Sequence, residues 1–238
     1  MQLTTQQRSD LLLKLSNREF FKSIKRVKGS IDIDYCLDVL TEIGKSRCPS
    51  FQIDESNRFV FTNILYWLYG DDRCLAFNPE DKGIVKANLD KGFYIFGNTG
   101  TGKSVALDVV KAYSTLMDVK IIIEGKEEYL YWDNFRTTEI CTDFANSGTF
   151  GNCIKSKILG IQDLGSEEKE TLYMGNRINV IQQIIETRGD ANDNITLITS
   201  NIPMTYDKIS KKYNDRVASR LQEMCNFYVL GGKDRRLN

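Results

Sequence analysis

An eight-residue glycine-rich segment carries the clearest chemistry in the chain. Residues 97–104 read Gly-Asn-Thr-Gly-Thr-Gly-Lys-Ser and match G-x-x-x-x-G-K-[ST], the phosphate-binding P-loop. In this motif the backbone N–H groups surround phosphate oxygens, the lysine reaches the β- and γ-phosphates, and the hydroxyl residue holds Mg²⁺. We therefore expect a nucleoside triphosphate to contact Gly97, Asn98, Thr99, Gly100, Thr101, Gly102, Lys103 and Ser104, with Ser104 also binding the metal.

The residues on either side of this loop favour a strand before it and a helix after it. Residues 92–96 form a short apolar run of strand type, and a helical pattern begins at Val105. A strand, a glycine turn and a helix N-terminus together form an anion site, because the helix end adds partial positive charge. The alternative is a chance match in a glycine-rich hairpin or linker, and the flanking pattern disfavours it.

Predicted strands and helices alternate from residue 91 onward, which indicates an α/β fold with a parallel sheet covered by helices on both faces. Residues 1–88 are predicted to form a separate, small helical region, with helices near residues 31–43 and 59–69. The domain prediction is thus a helical region at 1–88 and a P-loop core at 89–238. The strands are predicted at 92–96, 120–124, 156–161, 194–199 and 227–230, and the helices of the core after 105 and at 137–147, 176–188 and 215–223.

Composition restricts the classes of partner and compartment. Lys+Arg and Asp+Glu are both 32, so the chain lacks the excess of basic residues that is typical of proteins with strong, constitutive nucleic-acid binding. No apolar run approaches the roughly 18 residues of a membrane helix, and the first residues lack a signal-peptide pattern. Six cysteines without a C-x-x-C pair, in a chain with no histidine, argue against a structural zinc site. Reduced thiols in a cytoplasmic protein fit this pattern best.

A P-loop site also needs an acidic residue on a neighbouring strand. The best candidate is Asp163, which follows the apolar run 158–161 and Gln162. Here the chain resembles the AAA+ ATPases of the DnaC/IstB group, whose strand ends in two acidic residues, an apolar residue and glycine. Aligned on Gly165, Gln162 takes the position of the metal-associated aspartate, and Asp163 takes that of the catalytic acid. Either Gln162 slows hydrolysis and ATP acts as a switch, or Asp163 alone supplies the acid and turnover is ordinary.

The resemblance extends to two further motifs. Asn201 occupies the position of the polar sensor 1 residue, which orients the attacking water; its alternative role is to cap the turn before Pro203. The segment 215–221 resembles box VII, which donates an arginine finger to a neighbouring subunit. Arg220 is the first choice for that finger and Arg216 the second, and surface ion pairs are their alternative. Asp163, Asn201, Arg220 and Arg216 are therefore the expected catalytic residues, with Asp163 also near Mg²⁺.

The resemblance covers residues 91–236 and implies an ATPase that uses ATP and Mg²⁺, self-associates and lacks a C-terminal lid domain. Members of the group load replicative helicases or regulate transposases. The first implies a replicative helicase as partner of residues 1–88, and single-stranded DNA as a ligand of the aromatic segment 129–136. An IstB-like transposase partner and a P-loop kinase for a small molecule or nucleotide are the alternatives. Glu167 and Glu168 are expected at the surface, and the basic tail with Lys233, Arg235 and Arg236 is a further candidate for phosphate contact.

Overall fold

The structure is a computed structural model that describes residues 4–18, 24–191 and 193–232. Within these ranges the helices are α1 Thr5–Arg18, α2 Ile33–Arg47, α3 Arg58–Leu68, α4 Lys103–Leu116, α5 Thr137–Ser147, α6 Gly151–Lys155, α7 Val180–Ala191, α8 Tyr206–Lys212 and α9 Asp215–Met224. The strands are β1 Ile24–Arg26, β2 Leu75–Phe77, β3 Ile84–Lys86, β4 Gly92–Phe96, β5 Lys120–Ile123, β6 Lys126–Tyr129, β7 Asp133–Arg136, β8 Ile158–Leu164, β9 Thr171–Tyr173, β10 Asn176–Ile178, β11 Ile195–Ser200 and β12 Cys225–Val229.

Seven of these strands form the central sheet, in the order β3-β2-β12-β4-β11-β8-β7. The five from β12 to β7 are parallel, whereas β2 and β3 add an antiparallel edge. The P-loop follows β4, whose two neighbours in the sheet both come from later in the chain. Ligands of open α/β sheets bind at such reversals of strand order, beyond the carboxyl ends of the strands. The predicted α/β fold with a mostly parallel sheet is confirmed.

Strand β4 shows why the P-loop lies on a rigid support. Successive side chains of a strand point to opposite faces. Phe93 and Ile95 accordingly join the core formed with α2, α3 and α4, whereas Tyr94 joins the core on the other face, with α5, α7 and α9. Since all three side chains are fully buried, the strand reads as an unbroken apolar run rather than an alternating one.

Two predicted elements differ in detail. The strand predicted at residues 120–124 exists as β5, but it belongs to a separate three-stranded antiparallel sheet with β1 and β6. The helix predicted at 176–188 begins only at Val180, because Asn176–Ile178 pairs with β9 as a hairpin. Its turn residues Met174 and Gly175 both have positive φ, 46° and 83°. That backbone matches the tight turns that connect antiparallel strands.

Residues 24–88 contain strands as well as the two predicted helices, α2 and α3. The strands β1, β2 and β3 are three residues each, too short for a pattern in the sequence to show. Moreover, α2 and α3 share one apolar core with α4 and the central sheet. The boundary near residue 88 remains a prediction about folding units. None of the described helices is long and apolar enough to cross a membrane.

Candidate functional site

The P-loop connects the end of β4 to the first turn of α4. Gly102 is the N-cap of α4 and has φ of 88°, a left-handed conformation that glycine adopts without steric cost. Within the described residues no side chain caps this helix end, so its first N–H groups can bind an anion. The strand, turn and helix that the sequence predicts are all present at the predicted positions.

Lys103 and Asn201 meet across the mouth of this loop. The Lys103 ammonium is buried and donates hydrogen bonds to the Asn98 carbonyl at 2.9 Å and to Asn201 Oδ1 at 2.5 Å. The turn that follows β11 is instead closed by Ser200 Oγ, which accepts from the backbone N–H of Ile202 at 2.9 Å. Asn201 therefore faces the P-loop lysine. The contact that caps the turn, which was the alternative role for Asn201, is made by Ser200 instead.

Asp163 lies beside the P-loop hydroxyl, since Ser104 Oγ donates to Asp163 Oδ1 at 3.2 Å. The backbone of Asp163 has φ of 58°, an uncommon conformation for a residue other than glycine. Thr199 Oγ1 accepts from its N–H at 3.1 Å, and Thr137 Oγ1 donates to its carbonyl at 3.1 Å. These two threonines, which the sequence analysis did not single out, bind the backbone of Asp163 and so fix the position from which its side chain extends.

Gln162 points to a different partner from the one the alignment suggests. Its side chain is buried, and Nε2 donates to Asp108 Oδ1 on α4 at 2.8 Å and to the Ser104 carbonyl at 3.4 Å. The acid that contacts the Ser104 hydroxyl is Asp163. The amide thus packs against the first turns of α4, and the carboxylate faces the open side of the loop.

The wall of the cleft opposite the P-loop comes from residues that sequence reasoning missed. Asp163 and Asn201 line the cleft together with most of the P-loop. Facing them are side chains from the segment after α2, from α3 and from the end of β12, and many of these are apolar: Cys48, Ser50, Phe51, Asn57, Phe61 and Leu230. No motif marks these residues, because a wall for an apolar group needs only suitable surface.

The two arginines proposed as fingers lie outside this cleft, on α9. Arg216 and Arg220 each contact the Asp190 carboxylate at 2.6 Å. Arg220 also pairs with Glu223 at 2.7 Å, and these hydrogen bonds raise the pKa of its guanidinium. Within one chain the arginines therefore form surface ion pairs, and neither lines the cleft beside the P-loop.

Glu167 is buried, so its predicted surface position is wrong, whereas Glu168 is exposed as predicted. The Glu167 carboxylate accepts hydrogen bonds from the Gly165 N–H at 2.9 Å and from the Tyr213 hydroxyl. Burial and the nearby Glu167 charge raise the pKa of Tyr213. The carboxylate ties the turn after β8 to the end of α8, which explains why an acid can be buried here.

Comparison with known proteins places the fold. No protein-family profile matches the chain, and no curated protein matches it. Among solved structures, a candidate primosome component from Streptococcus pyogenes serotype M3 is 17% identical, with 82% of this chain and 96% of that chain covered at a TM-score of 0.52. The chain shares that fold. The DnaC helicase loader is 20% identical over 76% of this chain and 93% of that chain, with a TM-score of 0.48. DnaA bound to AMPPCP and single-stranded DNA is 15% identical over 79% of this chain and 50% of that chain, with a TM-score of 0.46. At 17% identity this likeness shows the fold alone, and membership of the AAA+ ATPases stays a prediction from the sequence motifs.

The aromatic segment predicted to bind single-stranded DNA divides into buried and exposed residues. Leu130 and Trp132 are buried in the core. Tyr129 and Tyr131 are 62% and 54% exposed. A lysine ammonium lies near each exposed ring, with Lys120 Nζ 3.2 Å from the Tyr129 centroid and Lys111 Nζ 4.6 Å from that of Tyr131. The basic tail residues 233, 235 and 236 lie outside the described residues.

Proposed function

We propose that the protein binds ATP with Mg²⁺ in this cleft and hydrolyses it. The observation that carries the proposal is the convergence of Lys103, Ser104, Asp163 and Asn201 around one uncapped helix N-terminus. An ammonium, a hydroxyl, a carboxylate and a neutral amide are the groups that a triphosphate with a divalent cation requires. They come from three places far apart in sequence, namely the start of α4, the end of β8 and the turn after β11, so their meeting is not a consequence of local chain geometry.

The donor set fits Mg–ATP. Ser104 and Asp163 offer oxygen ligands for a hard cation, and Lys103 offers a charge for the terminal phosphates. The metal would neutralise charge that develops on the phosphates. Asn201 would orient the attacking water, because its amide lies at the lysine that reaches the same phosphate. In this proposal Asp163 supplies the acid, and hydrolysis does not depend on a charge at position 162.

The apolar wall suits the nucleotide base. Phe51 and Phe61 pack edge to face, with ring centroids 5.7 Å apart, and both line the cleft beside the P-loop. Apolar and aromatic side chains with a few polar groups are typical of small-molecule sites. Residues before β4 would therefore take part in nucleotide binding.

The arginines of α9 are proposed to act between subunits. A guanidinium that stabilises phosphate charge must come from a neighbour, since Arg216 and Arg220 do not line their own cleft. Assembly would exchange their contacts with Asp190 for contacts with the neighbour's nucleotide. This proposal couples ATP hydrolysis to self-association.

We further propose that the chain is a DnaC-like helicase loader in DNA replication, and that α1 contacts the replicative helicase. The shared fold with the candidate primosome component supports this proposal. The apolar faces of α2 and α3 pack into the core, whereas residues 4–10 around the start of α1 are all exposed. An N-terminal docking site is thus best sought in α1.

Single-stranded DNA is the proposed second ligand, at Tyr129 and Tyr131. Bases stack on exposed aromatic rings, and nearby lysines attract phosphates. Alanine at both tyrosines should weaken binding of a labelled oligonucleotide, whereas Tyr35→Ala, at a tyrosine that is 57% exposed on α2, serves as the control. Equal losses in both variants would contradict a specific platform.

The decisive experiment is capture of the replicative helicase by the tagged chain, with and without ATP. We expect ATP-dependent capture by the parent chain, none by Lys103→Ala, and none by a variant lacking residues 1–18 that still binds ATP. Capture of a transposase instead would favour the IstB-like alternative. ADP release stimulated by a small molecule, without any protein partner, would favour a kinase.

A further inference from the structure

Asp108 is the centre of a hydrogen-bonded network behind the P-loop. Its Oδ1 accepts from Gln162 Nε2 at 2.8 Å and from Asn134 Nδ2 at 2.9 Å. Its Oδ2 lies 3.7 Å from the guanidinium of Arg47 on α2. One carboxylate, about one turn of α4 beyond Ser104, therefore joins α2, α4, β7 and β8.

The orientation of both amides follows from their partners. Trp132 Nε1 can only donate, and it donates to Asn134 Oδ1 at 2.9 Å. The Nδ2 group of Asn134 is thereby turned toward Asp108, and it donates to Oδ1 of that carboxylate. Because a carboxylate oxygen accepts hydrogen bonds, the group of Gln162 that faces the same oxygen must be its Nε2 donor. Gly160 on β8 leaves the space for this arrangement, because a Cβ atom there would lie 2.0 Å from Asn134 Oδ1.

We propose that Asp108 is a positioning residue that makes an uncharged amide necessary at position 162. The carboxylate stands on α4, and its neutral partner stands on β8 directly before Asp163. By binding Asp108 and the Ser104 carbonyl, Gln162 fixes the end of β8 against α4. Asp163 is then held within reach of the Ser104 hydroxyl.

This inference rests on the proposed ATPase activity. It predicts that an acid introduced at position 162, where the resembling ATPases have one, does not accelerate hydrolysis. An ionised acid at position 162 would replace the Nε2 donor by a second acceptor at hydrogen-bond distance from Asp108 Oδ1. Like charges at such a distance repel strongly in a partly buried site. Restoring an acid at 162 should therefore impair the site rather than accelerate hydrolysis.

The test is a cycle of isosteric variants: Gln162→Glu, Asp108→Asn and the two combined. We expect Gln162→Glu to lower kcat/KM for ATP about 10- to 100-fold, the usual effect of losing a group that orients a metal ligand. Asp108→Asn alone keeps an acceptor for the amide and should lose less. The double variant restores one carboxylate facing one amide, so it should recover most of the rate.

A matched control is available on the surface. Gln222 Nε2 donates to Glu80 Oε1 at 2.9 Å, away from the cleft. Gln222→Glu creates the same kind of carboxylate pair and should leave kcat unchanged. A faster Gln162→Glu enzyme, or a double variant no better than Gln162→Glu, would overturn the proposal.

Thermal unfolding of the nucleotide-free proteins separates this inference from the proposed function. If the parent chain neither binds nor hydrolyses ATP, the proposed function fails, and the cycle is then judged on melting temperature. The pairing predicts that Gln162→Glu lowers the melting temperature and that adding Asp108→Asn raises it again. Two results would refute Asp108 as a positioning residue. One is that the melting-temperature shifts of the two single variants simply add in the double variant; the other is that Gln162→Glu changes the melting temperature but leaves kcat at saturating ATP unaltered.

Discussion

Replacing Asn201 by aspartate tests the nucleotide site, because it should lower the affinity for ATP without destabilising the nucleotide-free protein. The substitution is isosteric and places a negative charge at the atom that now accepts from Lys103 Nζ at 2.5 Å. A hydrogen bond between charged groups contributes about 1 kcal/mol more than one with a neutral partner. The nucleotide-free protein should therefore be at least as stable as the parent.

The same charge should repel an incoming triphosphate. One unit charge about 5 Å from a phosphate charge costs about 3 kcal/mol at an effective dielectric constant of about 20. Because Asn201 is exposed, solvent screening lowers this value, and we expect ATP affinity to fall about 10- to 100-fold. The loss should be smaller for ADP and absent for adenosine, which carries no phosphate.

Isothermal titration with ATP, ADP and adenosine measures these three affinities, and a thermal melt measures stability. Asn146→Asp, an exposed substitution of the same type on α5, is the control and should bind all three ligands like the parent. Equal losses for ATP and adenosine would mean that the site was distorted. Unchanged ATP affinity would refute the placement of the γ-phosphate beside Asn201.

Three further predictions concern the metal, the core and the subunit interface. Asp163→Asn should lower Mg²⁺-dependent ATP hydrolysis about 10- to 100-fold while ATP binding measured in EDTA persists; equal binding losses with and without metal would contradict the metal role. Arg188→Met should lower the free energy of unfolding in urea by about 2–4 kcal/mol, because the buried guanidinium donates to the carbonyl groups of Cys153, Ser156 and Ile195, which would lose their partner. Mixing Arg220→Ala with Lys103→Ala, each inactive alone, should restore part of the ATPase rate, and co-assembly without recovery would exclude a finger in trans.

The sequence predicts the phosphate-binding half of the cleft because phosphate chemistry constrains it. Only particular residue types in a fixed order can form an anion-binding turn before a helix, and residues 97–104 retain that order. The strand β4 and the helix α4 that support the loop show the expected apolar patterns because their side chains pack into the core. Asn201 was predicted from the resemblance to the sensor 1 position, and it does meet Lys103.

The other half of the cleft was not predictable, because its requirements are loose. Phe51 and Phe61 need only present apolar surface, and buried aromatic residues such as Phe93 and Phe144 also occur away from the cleft. The partnership of Gln162 with Asp108 joins residues far apart in sequence, and it exists only because β8 packs against α4. A single chain shows the unusual glutamine but not the carboxylate that accounts for it.

The strand order also determines when the nucleotide site can form during synthesis. In the sheet, β4 lies between β12 and β11, and both of these strands are translated long after it. The apolar strand Gly92–Phe96 gains its first final neighbour only when Ile195–Ser200 leaves the ribosome, and its second only when Cys225–Val229 follows. The P-loop is therefore translated before both strands that flank its own strand, and its complete support in the sheet exists only once Cys225–Val229 has been made.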